Sequence, residues 1–192
     1  MNARCNISSG TDPEGVIEFW RQAGSSRWFA ADPEFDHAIR ERFEWLHMAA
    51  SQGLLADWEK DAAGTLALLL LTDQFPRNLY RGSAHAFASD AIARAVAERA
   101  IAQGFDRAFE PILRSFFYLP FMHHEDMSSQ LRGLVLYERL VADGGDSEGL
   151  RYARLHADLI ARFGRFPHRN AMMGRLSTPE ETAYLAQGGF AG

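Results

Sequence analysis

The most apolar stretch of the chain reads DAAGTLALLLLTDQFP, residues 61–76. Its run from Leu66 to Leu71 is apolar at every position, so a helix formed here has no face suited to water. Proline cannot donate the backbone hydrogen bond that a continuing helix needs, and Pro76 is therefore expected to end this one. We predict a buried central helix over about residues 61–75, against which the other elements pack.

Helix signals recur on both sides of this stretch, whereas alternating β-branched runs, which mark strands, are absent. Asp12-Pro13 and Asp32-Pro33 each place an N-cap residue before proline at the first helical position. Residues 178–181, Thr-Pro-Glu-Glu, combine the same proline with a capping box. The predicted helices cover residues 12–24, 32–53, 61–75, 89–103, 111–119, 125–142, 147–163 and 178–188.

The length of 192 residues suits one domain, and no low-complexity linker divides the chain. We expect a single all-α domain over residues 1–192, with about eight helices in antiparallel hairpins. Residues 1–11 precede the first helix signal and are expected to form a flexible N-terminal tail.

The net charge is -5, which argues against a nucleic-acid groove and a polybasic membrane surface. The uncharged run of residues 62–72 is shorter than the roughly 20 residues that a membrane span needs. Cys5 is the only cysteine, which excludes a disulfide within the chain, and residues 1–10 lack the apolar core of a signal peptide. We expect a soluble cytoplasmic protein with no cofactor and no nucleic-acid or membrane partner.

One short pattern occurs twice. QFPRN at residues 74–78 matches RFPHRN at residues 165–170 with one inserted residue. Each copy follows an apolar helix, and each is soon followed by another arginine, Arg81 in the first and Arg175 in the second. We interpret residues 74–82 and 165–175 as related helix-exit loops, and call them the first and second motif segments.

The two motif segments hold five arginines in a chain whose only lysine is Lys60. If they lie at the same end of the bundle, these guanidinium groups suit a phosphate or a carboxylate, because paired N–H donors match planar oxygens. The predicted ligand-binding residues are Arg77, Asn78, Arg81, His123, Arg165, His168, Arg169 and Asn170. The equal alternative is that the arginines pair internally with Asp73, Glu125 and Asp126.

Residues 123–126, His-His-Glu-Asp, suggest a metal site or an acid/base pair, since His123 and Asp126 are three residues apart. No His-x-x-x-His spacing occurs, so we predict no metal. His156 falls on an apolar helical stripe and is expected to face the interior, either as structural support for the second motif segment or as a proton carrier. The candidate catalytic residues are Glu125, Asp73 and His156.

Longer motifs carry a family resemblance. DQFPRN at residues 73–78, PFMH at 120–123 and FGRFPHRN at 163–170 resemble those of a bacterial family of domains of unknown function. The resemblance covers about residues 15–185. It implies a tetratricopeptide-like α-α superhelix and no established activity. In the family, serine usually follows the motif histidine, whereas this chain has His124.

Three hypotheses of function remain open at this point. The first is a binding protein with a pocket for a small anionic molecule or an anionic peptide end. The second is a hydrolase in which Glu125 or Asp73 is the acid/base group and arginines stabilise negative charge. The third is a helical-repeat scaffold that binds a partner segment in a groove. The oligomeric state stays open.

Overall fold

In a computed structural model that describes residues 10–191, the described chain is helical and contains no β-strand. The α-helices are α1 (Pro13–Ala23), α2 (Ser25–Trp28), α3 (Pro33–Ser51), α4 (Ala62–Leu69), α5 (Phe75–Leu79), α6 (Asp90–Ala102), α7 (Pro111–Arg114), α8 (Leu119–Met122), α9 (Met127–Ala142), α10 (Ser147–Phe163) and α11 (Pro179–Ala186). The all-α prediction is confirmed. The expectations for Cys5 and for a tail over residues 1–9 lie outside the described residues.

The helix starts follow from the capping signals. The Asp12 carboxylate accepts a hydrogen bond from the Gly15 amide at 2.9 Å, and Asp32 caps α3 in the same way. Thr178 forms the predicted capping box of α11. Helix α10 is capped by Asp146, whose carboxylate accepts a hydrogen bond from the Glu148 amide at 3.1 Å.

The predicted central helix is confirmed as α4. Its leucines are fully enclosed, and it packs against α1, α6 and a short 3-10 turn at Ala56–Lys60. Beside it lies an aromatic core in which Trp20 stacks on Trp28 with ring centroids 5.4 Å apart. Within residues 10–191, no helix is long and apolar enough to cross a membrane.

Pro76 does not end the central helix, which corrects the prediction. The helix continues as a π-helical segment, Leu70–Gln74, and then as α5, which contains Pro76. In a regular helix the proline ring would clash with the carbonyl of Thr72, four residues earlier. Here the Phe75 amide bonds to Leu70, five residues back, and the Ser89 hydroxyl donates to the Thr72 carbonyl at 2.6 Å. The first motif segment is therefore mostly a buried helical turn, not an exit loop.

The second motif segment follows the longest hairpin. Helices α9 and α10 pack against each other, and Gly164 ends α10 with φ of 70°, a left-handed conformation that favours glycine. A 3-10 turn, Pro167–Arg169, comes next, and α11 packs against it. The helix predicted over residues 111–119 is instead split into α7, a 3-10 turn at Ser115–Phe117 and the start of α8. The tetratricopeptide-like superhelix stays a prediction.

Ser89→Ala is expected to lower the free energy of unfolding by about 1–3 kcal/mol, because it leaves the buried Thr72 carbonyl without its donor. The Ser89 side chain makes no capping bond to α6, so little else is lost. Ser115→Ala is the control: that hydroxyl also donates to a carbonyl, of Ile112, but at an exposed place where water replaces it. Urea denaturation measures both, and equal effects would contradict this account of Pro76.

Candidate functional site

Asp73 lies at the centre of the candidate site and is almost completely buried. The Nδ1 atom of His123 lies 2.9 Å from one carboxylate oxygen of Asp73 and 3.0 Å from the other, and Arg77 approaches to 3.4 Å. Burial alone would raise the pKa of the Asp73 carboxyl, but Arg77 and His123 outweigh it and hold the pKa below its usual value. Asp73 is therefore an ionised, paired carboxylate, with a partner that the sequence predicted.

The two motif segments meet at Asp90, the first residue of α6. Arg77 of the first segment donates to both Asp90 oxygens, at 3.0 and 3.1 Å. Arg169 of the second segment lies 3.5 Å from Asp90 Oδ2. We call Asp73, Arg77, Asp90, His123 and Arg169 the buried charge cluster. The predicted convergence therefore holds for one arginine of each segment.

Arg169 differs from every other arginine of the motif segments. Its residue is 5% exposed, yet its side chain donates no hydrogen bond to any residue between 10 and 191, and its Nε is enclosed. The guanidinium lies between two rings, 4.3 Å from the Phe87 centroid and 4.6 Å from the Phe166 centroid. Burial and the nearby Arg77 lower the pKa of Arg169 to about 10. A buried charge held this loosely is unusual.

The remaining three arginines are paired with separate carboxylates. Two bonds join each pair: Arg81 with Asp36 at 2.5 and 3.1 Å, Arg165 with Glu181 at 2.6 and 2.8 Å, and Arg175 with Glu125 at 2.5 and 2.9 Å. These three arginines therefore lie outside the buried charge cluster, and they form ion pairs within the protein, as the alternative hypothesis expected. Asp126, the other proposed partner, instead caps α9.

The asparagines show that the two motif segments use the same chemistry. Asn78 donates to Asp36 at 2.9 Å, and Asp36 is the carboxylate that Arg81 binds. Asn170 donates to Glu181 at 3.1 Å, the carboxylate that Arg165 binds. In each segment, one asparagine and one arginine share a single acidic partner and fix the backbone around the cluster.

Two further histidines, His156 and His168, lie near His123 of the cluster. His156 is buried as predicted: its Nδ1 lies 2.8 Å from the Tyr152 carbonyl oxygen, and its ring meets Phe166 edge to face, with centroids 5.2 Å apart. His168 stacks on the same ring, with centroids 5.6 Å apart. Burial lowers the pKa of His123, His156 and His168 to about 4 in each case, with arginines adding to the effect. All three are therefore neutral at pH 7.

Glu125 binds the second motif segment and has no free oxygen. It pairs with Arg175, and its Oε1 also accepts the Phe166 amide at 2.7 Å. Burial would raise the pKa of Glu125, but Arg175 and the Phe166 amide hold it below its usual value. Within the described chain, no group of three His, Cys, Asp or Glu residues is placed to hold a metal ion.

With this geometry established, comparisons place the chain among known proteins. The model of a family described as "Bacterial protein of unknown function (DUF924)" matches residues 16–189. The chain belongs to this family. A solved structure of a protein of unknown function from Agrobacterium tumefaciens has 44% sequence identity and a TM-score of 0.87, over 91% of this chain and 97% of that one. No curated protein matches the chain. The resemblance inferred from the motifs is confirmed.

The sequence analysis did not identify several residues that contact the two motif segments. Asp36, Asp90 and Phe87 carry no motif of their own, and Glu181 was recognised only for its capping box. Asp90 opens an alanine-rich helix, where an acidic residue is ordinary because it favours the helix dipole. One feature of the sequence did indicate distant partners. The motif segments contain five arginines and no acidic residue, so most of their carboxylate partners have to come from elsewhere in the chain.

Glu181→Gln is expected to lower the free energy of unfolding at pH 7 by about 2–3 kcal/mol, because charge-assisted bonds from Arg165 and Asn170 are lost. Chiefly through Arg165, the folded protein lowers the pKa of Glu181 to about 2. The stability from Glu181 is therefore complete above its ordinary value of 4.5 and is lost as the pH falls toward 2. Urea denaturation at pH 7 and pH 3 tests both parts.

Glu180→Gln is the matched control, one residue earlier in the same helix. Its partner is Arg162, and both side chains are more than half exposed, so the change should stay below about 1 kcal/mol. Equal losses in the two variants would show that Glu181 does not hold the second motif segment.

Proposed function

We propose that the protein binds a small oxyanion, such as a phosphate or a carboxylate, in the bacterial cytoplasm, and that Arg169 is the principal ligand-binding residue. One observation carries this proposal. Arg169 is a buried guanidinium with no hydrogen bond to the described residues and only a long approach to Asp90. Folded proteins satisfy nearly all buried polar groups, so this exception needs a reason.

The surroundings of Arg169 favour an anion as that reason. The rings of Phe87 and Phe166 both contact the guanidinium, which restricts its position. An oxyanion can accept two parallel bonds from one edge of a guanidinium. The ligand supplies the acceptors that Asp90, already bound twice by Arg77, does not.

Two histidines complete the proposed site. The Nδ1 atom of His168 is enclosed and has no partner among residues 10–191. His123 uses Nδ1 for Asp73, which leaves its Nε2 without a hydrogen bond in the described chain. The charge of Arg169 acts on His168, and the charge of Arg77 acts on His123. Besides Arg169, these two histidines are the residues of the predicted binding set whose side chains have a nitrogen atom without a protein partner in the described chain.

The other predicted binding residues act indirectly in this proposal. Arg77 orients Asp90, while Asn78 and Arg81 fix the first motif segment on Asp36. Arg165 and Asn170 fix the second segment on Glu181. The hydrolase hypothesis has weaker support, because the oxygens of Glu125 and Asp73 are occupied by protein donors.

Arg169→Met is expected to leave the free energy of unfolding unchanged or to raise it, because an apolar side chain of similar length replaces a poorly paired charge. Arg77→Met should lower it by about 3–5 kcal/mol, because Asp73 and Asp90 lose their shared cation. Urea denaturation compares the two. If Arg169→Met is as damaging as Arg77→Met, Arg169 serves the fold and the binding proposal loses its basis.

Inorganic phosphate or acetate is expected to stabilise the wild-type protein. A ligand at 100 times its Kd adds about 2.7 kcal/mol, or roughly 5–10 °C in Tm for a chain of this size. Arg169→Met should abolish the shift, whereas Arg162→Gln, an exposed arginine on α10, should keep it. Thermal unfolding against ligand concentration measures this. Shifts of the same size in wild type and Arg169→Met would rule out Arg169 as the binding residue.

A further inference from the structure

We propose that the anion enters this site together with a proton, which His123 takes up on Nε2. The inference rests on the proposed function and adds a regulation of the same site. It names His123, with Asp73 behind it, as the group that adjusts the charge of the site to its ligand.

The buried charge cluster is electrically balanced without a ligand. The cluster contains two guanidinium groups, Arg77 and Arg169, and two carboxylates, Asp73 and Asp90, in close mutual contact. The neighbouring pair of Glu125 and Arg175 also balances. A bound anion therefore adds negative charge that no group in the cluster compensates, and uncompensated charge is costly in a buried site. A proton taken up nearby removes that cost.

The contacts of His123 leave one of its ring nitrogens available for the proton. Asp73 is an ionised carboxylate in contact with Nδ1, so Nδ1 carries the ring proton and Nε2 is the basic nitrogen. A proton on Nε2 creates an imidazolium that Asp73 already faces. It also turns Nε2 from an acceptor into a donor, which an anion oxygen can bind. Protonation of His123 therefore places a positive charge next to the bound anion and adds a hydrogen-bond donor for it.

Other titratable groups face His123 from each neighbouring element. They are Asp73, Arg77, Asp90, His156 and His168. Behind them, Arg169 and Tyr137 interact electrostatically with Asp73. The two histidines are poorer sites for the proton. Nδ1 of His156 bonds a neutral carbonyl, and positive charge on Arg169 opposes a cation at both rings. Glu125 favours a cation at His168, but Glu125 is already paired with Arg175.

The sign of the pH dependence follows. Burial and Arg77 hold the pKa of His123 at about 4 in the unliganded protein, and a bound anion raises it. Between those two values, binding takes up a proton and the affinity increases as the pH falls, by up to tenfold per pH unit for one proton. Below about pH 4, His123 is protonated in both states and the affinity becomes independent of pH.

Isothermal titration calorimetry with sulfate tests the proposal, because sulfate itself does not titrate between pH 5 and pH 8. Titrations at pH 5, 6, 7 and 8, each in two buffers of different ionisation enthalpy, give the affinity and the number of protons exchanged. We expect net proton uptake that approaches one, and an affinity at pH 5 at least tenfold higher than at pH 8.

Two variants locate the proton. His123→Asn keeps an amide donor for Asp73 but cannot titrate, so it should bind sulfate with no proton uptake and a flat pH profile. His156→Asn, which keeps a donor for the Tyr152 carbonyl, is the matched control and should retain the uptake. Circular dichroism confirms that each variant is folded.

The outcomes separate the two proposals. Sulfate binding to the wild type with equal affinity at pH 5 and pH 8 and no proton exchange overturns the inference and leaves the anion site standing. Uptake that persists in His123→Asn overturns the assignment to His123. If no sulfate, phosphate or acetate binds at any pH, the proposed function fails and this inference fails with it.

Discussion

The arrangement of this protein depends on one largely enclosed carboxylate, Asp90, which lies beside an arginine from each of two distant and similar stretches of sequence. Arg77 reaches it from the end of the central helix, and Arg169 reaches it from the turn after α10. Buried ion pairs contribute little net stability, because desolvation offsets most of their attraction, but they penalise every arrangement in which a partner is missing. The two bonds from Arg77 to Asp90 thus fix the end of the central helix against α6, whereas Arg169 is held only loosely beside them.

The helices could be predicted because capping depends on residues close together in sequence. The contacts between side chains far apart in sequence could not be predicted in this way. Asp12-Pro13 and the Thr178 capping box act within four residues, so the sequence alone locates those helix starts. The path through Pro76 depends on Ser89, and the pairing of Arg81 depends on Asp36. Both partners become neighbours only when the chain folds, and neither has a fixed spacing from the motif. Asp73, Arg77, His123 and Arg169 were therefore identified as candidates from the sequence, whereas Asp90 and the contacts that it makes were not.

The two motif copies have diverged at the residue that matters most for the proposed function. In the first copy, arginine directly follows proline and is bound by Asp90 through both oxygens. In the second copy, His168 is inserted between Pro167 and Arg169, and the guanidinium turns between two phenylalanine rings. One inserted residue thus distinguishes an arginine that completes the fold from one whose donors remain available.

The π-helical segment Leu70–Gln74 has a consequence for how this site tolerates change. A π-helical turn holds one more residue than an α-helical turn, and each residue of an α-helix advances the chain by about 100° of rotation. Removal of one residue between Leu70 and Thr72 rotates the turn that follows, with Asp73 and Arg77, by about that angle relative to α4, and so moves Asp73 away from His123. The site therefore depends on the phase of a helix as much as on the identity of its side chains, and single-residue deletions in this segment are more disruptive than most substitutions.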